Sequence, residues 1–256
     1  MLLVLTALDD AAALSFVRAA AAAGAQCTVL TTEAMSFARR RSHRLSDDGV
    51  VTRIEMADGT VVSSSNVTGV VNRMLAPPDL AWRHANRRER DYASAELHAF
   101  TVSWLNALSC PVRNRPSPEC LAGPAPHPFV AAAAAASAGL ACPTVRMGTG
   151  HEREPARALL LGAASAAGAG SHVRHVVCLD GVVVADDAPP DVRSGVARLA
   201  GSLGLDEALV GLDFVVADDT WWFAGMTPRP ELRLGGHDLV ERLLTLLHPD
   251  PVAPSP

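Results

Sequence analysis

Lysine is missing from this chain: all 22 basic side chains among its 256 residues are arginine. Any anion the protein meets must therefore be met by a planar, forked guanidinium rather than by a compact ammonium. A basic excess is missing as well. The net charge is −5, so a nucleic-acid-binding surface is not expected. Five cysteines (Cys27, Cys110, Cys120, Cys142 and Cys178) are scattered without a C-x-x-C pair. That pattern argues against a disulfide framework or a zinc site, and it fits a reducing cytoplasm. No apolar run approaches the ~20 residues of a membrane span, and the alanine-rich runs at 131–136 and 163–169 fall well short. The opening MLLVLTALDD is too short for a signal core and has no basic stretch before it.

What is present reads as a globular α/β protein, with 49% of residues apolar and length enough for one large or two modest domains. LLVLTAL (2–8) is a continuous apolar run, the pattern of a strand buried on both faces. Asp9 or Asp10 then caps a helix reaching Ala23, and Gly24 stops it. With QCTVLTT (26–32) as the next strand, this β–α–β start predicts a parallel sheet with a right-handed crossover. The cluster Arg39-Arg40-Arg41 with His43 and Arg44, followed at once by Asp47-Asp48, is expected to be a solvated loop, with contact to an anionic ligand as the alternative. VVTRIEM (50–56) and TVVSS (60–64) flank Ala57-Asp58-Gly59, a hairpin signal. TGVVNRM (68–74) is a further buried strand ending in Asn72-Arg73.

The longest helical pattern covers 86–108, where Ala93, Leu97, Phe100, Trp104 and Leu108 share one face. Arg87, Arg88 and Arg90 crowd its opening turns, against the helix dipole, with Glu89 and Asp91 among them. A proline-dense stretch at 110–128 reads as a short strand and a linker, placing a domain boundary near 116–126. Beyond it come a small-residue helix (128–139), a strand ACPTVRM (141–147), a weak helix or two pieces within 150–170, and a hairpin around Asp180-Gly181 (171–187). A helix at 189–203, a hairpin turning at Ala217-Asp218-Asp219 (209–226), an amphipathic helix (234–247) and a loose tail complete the chain. Trp221-Trp222 lies on an alternating strand, so one ring is expected in the core and the other outward.

Taken in order, VVNRM (70–74), RRERDYASAE (87–96), PVRNRP (111–116), SAGLACPTV (137–145), HVRHVVCLDGVVVA (172–185) and GLDFVVADDTWWFAGMTPRP (211–230) resemble ATP-grasp proteins. They are most similar to the RimK-like and microviridin-type ligases that mature ribosomally made peptides. The resemblance implies a parallel-sheet pre-ATP-grasp-like α/β domain at 1–118. A reduced ATP-grasp-like α+β domain would follow at 119–249, lacking the central lid subdomain, with a flexible tail at 250–256. Members of this family phosphorylate a carboxylate, using magnesium to neutralise the triphosphate. Their metal motif is an aspartate on one strand and a Glu-x-Asn pair on the next. Here the resemblance puts Asp213 at the aspartate, Gly225 at the glutamate and Thr227 at the asparagine. The lysine expected after the N-R-P strand is replaced by Ala125-Pro126-His127-Pro128, and only residues 148–171, rich in alanine and glycine, bridge Met147 to His172.

Arg73 and Arg115 follow asparagines at strand ends, where open α/β sheets place their ligand crevice. With Arg87, Arg90, Arg174 and Arg229 they form the candidate cation set for a peptide or an acidic small molecule. For Arg174 a salt bridge to Asp213 or Glu231 is the structural alternative. Asp213 is the candidate metal ligand. The leading expectation is a catalytically degenerate ligase-like protein without a cofactor. It would bind a peptide or a modifying-enzyme partner in ribosomal-peptide maturation, in the cytoplasm and as a homodimer. One alternative is an active ATP- and magnesium-dependent carboxylate–amine or carboxylate–hydroxyl ligase. The other is an ATP-independent enzyme reusing the crevice, with His127 or His172 as proton carrier.

Overall fold

The computed structural model describes residues 1–47, 49–144, 155–184 and 187–247. All five residues of Leu2–Thr6 (β1) are buried, as an unbroken apolar run requires. Ala11–Ala22 (α1) starts on Asp10, whose carboxylate accepts from the Ala13 amide, and ends before Gly24 at φ +84°. The chain continues through Cys27–Thr31 (β2), Thr32–Ser36 (α2), Arg40–Ser46 (β3), Gly49–Glu55 (β4), Val61–Ser63 (β5), Gly69–Asn72 (β6), Arg87–Asn106 (α3) and Val112–Arg113 (β7). Strands β2-β1-β6-β7 form a parallel sheet, and β3-β4-β5 form a separate antiparallel one. Trp104, Leu105, Met74 and Leu3 are among the side chains filling the core between the parallel sheet and α3.

The basic cluster is an edge strand rather than a loop. In β3 the backbone pairs with β4, the His43 ring is held between Thr52 Oγ1 (2.8 Å) and Ser103 Oγ (2.9 Å), and Arg41 donates to the Met35 carbonyl. Charged residues along a sheet edge also discourage pairing with another chain.

At the end of β6, Asn72 Nδ2 donates to the carbonyls of Asn114 (2.7 Å) and Leu121 (2.6 Å), folding the 114–123 loop back onto the sheet. Gly123 sits under that fold at φ +97°, where a Cβ would come 2.7 Å from Asn114 Cβ. Gly123→Ala is therefore expected to lower stability by about 1–3 kcal/mol, through backbone strain and overpacking together. A urea midpoint shift at unchanged slope would show it.

The second unit contains Pro128–Ser137 (α4), Pro155–Ala167 (α5), His172–Leu179 (β8), Val182–Val184 (β9), Pro190–Leu203 (α6), Leu209–Ala217 (β10) and Thr220–Thr227 (β11); Gly236–Leu247 (α7) is the last helix. Its sheet is antiparallel in the order β11-β10-β8-β9. Asp218 and Asp219, both at positive φ, make the two-residue β10–β11 turn. Val176, Val210, Phe214 and Phe223 bury one face with α4 and α6. On the other face Ala163 of α5 packs on Val215 and Ala224.

Several expectations change here. Of the strand expected at 141–147, Ala141 makes an isolated bridge to Trp222, and Cys142–Thr144 form no ladder because Pro143 cannot donate to one. Residues 145–147 lie outside the described residues, as do 148–154 of the segment whose remainder is α5, and the 250–256 tail. Neither tryptophan faces freely outward: Trp221 packs beside Phe214, and Trp222 packs on the Ala163–Val215–Ala224 cluster, because α5 covers the second face. The chain divides into two compact units after Gly123, and from Val240 it returns to the first unit instead of remaining with the second to 249. Among the described residues no helix is long and apolar enough to cross a membrane.

Candidate functional site

Pairing of β10 with β8 on one side and β11 on the other sets His175, Asp213 and Gly225 in a row across the sheet. Direct cross-strand neighbours share a face, so this row is one surface. His175 Nδ1 lies 2.6 Å from Asp213 Oδ1, with the His175 and Asp213 side chains 59% and 35% exposed. The bulge between Asp213 and Phe214 shifts the register at this point, and Gly225 takes φ +156°. A Cβ at Gly225 would stand 3.8 Å from Asp213 Oδ2, an ordinary contact, so the backbone rather than lack of room disfavours a side chain there.

Two cavities adjoin Asp213. One of about 490 Å³ is lined by His175, Asp213, Thr227, Arg229 and Glu231. The other, of about 230 Å³, is lined by Pro126, Arg157, Asp213 and Gly225 among others. Histidine, arginine and two carboxylates in the larger cavity can donate to and accept from a polar ligand. Glu231 is engaged by Arg233, with Nε–Oε1 at 2.8 Å and Nη2–Oε2 at 2.7 Å. Glu231 holds the Arg233 guanidinium above its ordinary pKa.

The six candidate arginines do not form one cluster. Arg229 lines the larger cavity with Asp213. Arg174, one residue before His175 on β8, points to the opposite face, where its guanidinium pairs with Asp187 and lies 5.6 Å from the Trp221 ring centroid. The carboxylate it pairs with is that of Asp187.

The four others belong to the first unit. Arg73 is 2% exposed and grips Asp10 with both arms, Nε–Oδ2 at 2.8 Å and Nη2–Oδ1 at 3.1 Å. Burial alone would raise the Asp10 pKa. The Arg73 hydrogen bonds and charge, with the Thr6 hydroxyl and Ala13 amide, instead hold it far below the carboxylate range. Arg73 at the strand end is therefore committed to the protein's own buried ion pair. Arg115 donates to the carbonyls of Leu105 (3.0 Å), Leu108 (3.4 Å) and Cys110 (3.3 Å). It satisfies carbonyls at the C-terminal end of α3, a placement the helix dipole favours. Arg87 and Arg90 stay exposed at the first turn of α3. Of the histidines considered as proton carriers, His127 caps α4 by accepting from the Phe129 amide, and His172 is exposed on β8.

Sequence reasoning passed over His175. Its partner is Asp213, on a strand separated from it by β9 and α6, and no sequence signal specifies that register. Arg157 had no signal either, since it lies on the helix that alanine and glycine content made ambiguous. Among the described residues no group of three or more His, Cys, Asp or Glu side chains stands where it could hold a metal ion.

No protein-family model and no curated protein sequence matches the chain. Solved structures do. The macrocyclase MdnC from Microcystis aeruginosa MRC, crystallised with its precursor peptide MdnA, superposes with a TM-score of 0.72 at 12% identity, over 97% of this chain and 100% of that one. The Chryseobacterium gregarium RiPP-associated ATP-grasp ligase, in complex with ADP and a leader and core peptide, gives 0.66 at 10% identity over 98% and 97%. The ATP-grasp ligase PsnB, complexed with a phosphomimetic variant of its minimal precursor, Mg and ADP, gives 0.66 at 18% identity over 96% and 97%. The chain thus has the mixed α/β fold of the RiPP-associated ATP-grasp ligases across nearly its whole length.

Proposed function

We propose that this protein binds a peptide in the maturation of a ribosomally made natural product without performing ATP-dependent ligation itself. The observation that carries the second half is the row at Asp213. Magnesium takes hard oxygen ligands in near-octahedral geometry, and the ATP-grasp motif supplies them from an aspartate and a Glu-x-Asn pair. Here Asp213 is bonded to His175, the residue opposite is Gly225 at φ +156°, and Thr227 stands opposite Gly211. One carboxylate of the motif remains, and the conformation at 225 disfavours another. These residues do not fit a magnesium–triphosphate site, and no catalytic step is derived through one. The absence of lysine from the whole chain supports the same reading, since a guanidinium does not reproduce an ammonium's point charge at a phosphate.

Peptide binding is supported by the company the fold keeps: MdnC, the Chryseobacterium gregarium ligase and PsnB were each crystallised with a peptide. In this chain Arg229 and His175 of the 490 Å³ cavity could receive a peptide carboxylate or carbonyl. The proposal is tested by measuring ADP release from Mg-ATP over hours, with and without a glutamate-rich precursor-type peptide. No release above the no-protein control is expected. Release that Asp213→Ala abolishes would instead establish an active ligase.

A further inference from the structure

We infer that the 230 Å³ pocket beside Asp213 binds a free α-amino acid with an apolar side chain, its ammonium on Asp213 and its carboxylate on Arg157. Among the described lining residues this pocket shares only Asp213 with the larger cavity that could receive a peptide, so the inference goes beyond the peptide-binding reading.

Two departures from the ligase pattern meet in this pocket. Pro126 and Pro128 belong to the segment that replaces the expected lysine, and Gly225 stands where the resemblance implies a glutamate. Each departure removes a charged side chain. What remains is a wall of Pro126, Pro128, Leu160, Ala224 and Met226, with Arg157 and Asp213 as the two charged groups among the described lining residues. Gly225 at φ +156° disfavours a side chain, so the space beside Asp213 Oδ2 is a property of the backbone itself. Pro126 and Pro128 have no N–H to offer, so the charged pair must orient an occupant. Leu160 is 38% exposed, and an apolar group seated against it would withdraw both from water. The thioether of Met226 can adapt to the shape of that group.

Charge and size decide what fits. Asp213 Oδ1 is taken by His175 at 2.6 Å, whereas Oδ2, on the side of Gly225, has no hydrogen-bond partner among the described residues. Arg157 is exposed near the start of α5 and has no ion-pair partner among the described residues. Two opposite charges therefore line one pocket without pairing with each other. A ligand carrying a carboxylate alone is repelled by Asp213, and one carrying an ammonium alone is repelled by Arg157. A zwitterion satisfies both. The pocket is also smaller than the roughly 300 Å³ at which sites for drug-sized molecules begin, which selects an occupant of about one amino acid.

The test is saturation-transfer NMR on the full chain with L-leucine as the probe. Three analogues each lack one feature: 4-methylpentanoate the ammonium, 3-methylbutylamine the carboxylate, and glycine the apolar side chain. Leucine should saturate the protein below about 10 mM, and each analogue should bind at least about tenfold more weakly. Arg157→Gln should weaken leucine binding at least about tenfold as well. Arg157→Glu, which leaves two carboxylates in the pocket, should make 3-methylbutylamine a better ligand than leucine. Because Arg157 is exposed, both variants are expected to fold, and unchanged circular dichroism melts check it. The assignment is overturned if leucine does not saturate, if any analogue binds as tightly, or if Arg157→Gln leaves the affinity unchanged. None of these probes contains a peptide bond or a nucleotide, so their failure leaves peptide binding standing. Failure of peptide binding, in turn, leaves the leucine affinities unchanged.

Discussion

Asp10→Ala is expected to lower the unfolding free energy by about 3–5 kcal/mol, the cost of leaving a buried charge without its partner. Asp10 and Arg73 have side chains each 2% exposed, so the guanidinium stranded by the substitution cannot recover water. The same carboxylate accepts from Thr6 Oγ1 at 2.8 Å and from the Ala13 amide at 3.1 Å, so one change strips the α1 cap and a buried hydroxyl partner as well. The sign with pH follows from the depressed Asp10 pKa. The pair contributes in full above the ordinary carboxylate pKa of about 4. That contribution is lost as pH falls from there through the lower folded-state value. Asp10→Asn should therefore show a flatter loss of stability on the acid side than the parent. Asp10→Leu combined with Arg73→Leu should cost less than the two single changes added together, because neither charge is then left alone. Urea unfolding of the parent and these five variants at neutral pH and near pH 3 measures this. A loss below about 1 kcal/mol for Asp10→Ala would show that Arg73 finds other compensation.

Phe214→Ala is expected to cost about 3–5 kcal/mol in the second unit. Its ring is fully buried and makes edge contacts with Trp221 at 5.6 Å and Phe223 at 6.0 Å between centroids. Such pairs each add about 0.5–1.5 kcal/mol beyond the area they bury. Phe214 also follows Asp213 directly, across the bulge that sets the direction of the acid. Its loss should loosen the Asp213–His175 pair as well as the core. The readout is a urea midpoint shift followed by tryptophan fluorescence, with the His175 ring resonances monitored by NMR below the transition. An unfolding cost under about 2 kcal/mol would mean that Trp221 and Phe223 close the cavity.

The parts of the fold legible in the sequence are those where one local pattern had one physical solution. A continuous apolar run at 2–8 had to be a central strand, Gly24 and Gly204 had to end helices, and Asp218-Asp219 between two apolar runs had to turn. Strand β3 was hidden because R-R-S-H-R-L-S carries no alternation of apolar residues. As an edge strand it needs a partner backbone more than a buried face. Arg73 shows why site residues were harder. An arginine after a strand's last asparagine can face a ligand or an acid of its own chain, and the acid lies 63 positions earlier. Arg115 has the same ambiguity, resolved by nearby carbonyls of the α3 terminus. Asp213, by contrast, was singled out by the resemblance alone. What the resemblance could not convey was that a histidine on the neighbouring strand holds it.

The chain has the fold of ATP-grasp ligases, and where the resemblance implies an aspartate, a glutamate and an asparagine it carries Asp213, Gly225 and Thr227, with Asp213 hydrogen-bonded to His175. One fold hosts many activities, so the scaffold by itself does not carry ligation over to this chain.

The central claim, that this chain does not grip magnesium–triphosphate, is tested most directly by titrating Mg-ATP into the protein in a calorimeter. The account predicts heats indistinguishable from dilution at nucleotide concentrations up to about 1 mM, the weakest affinity at which a binding energy of about 4 kcal/mol would register. A saturable isotherm that requires magnesium and disappears in Asp213→Ala would contradict it.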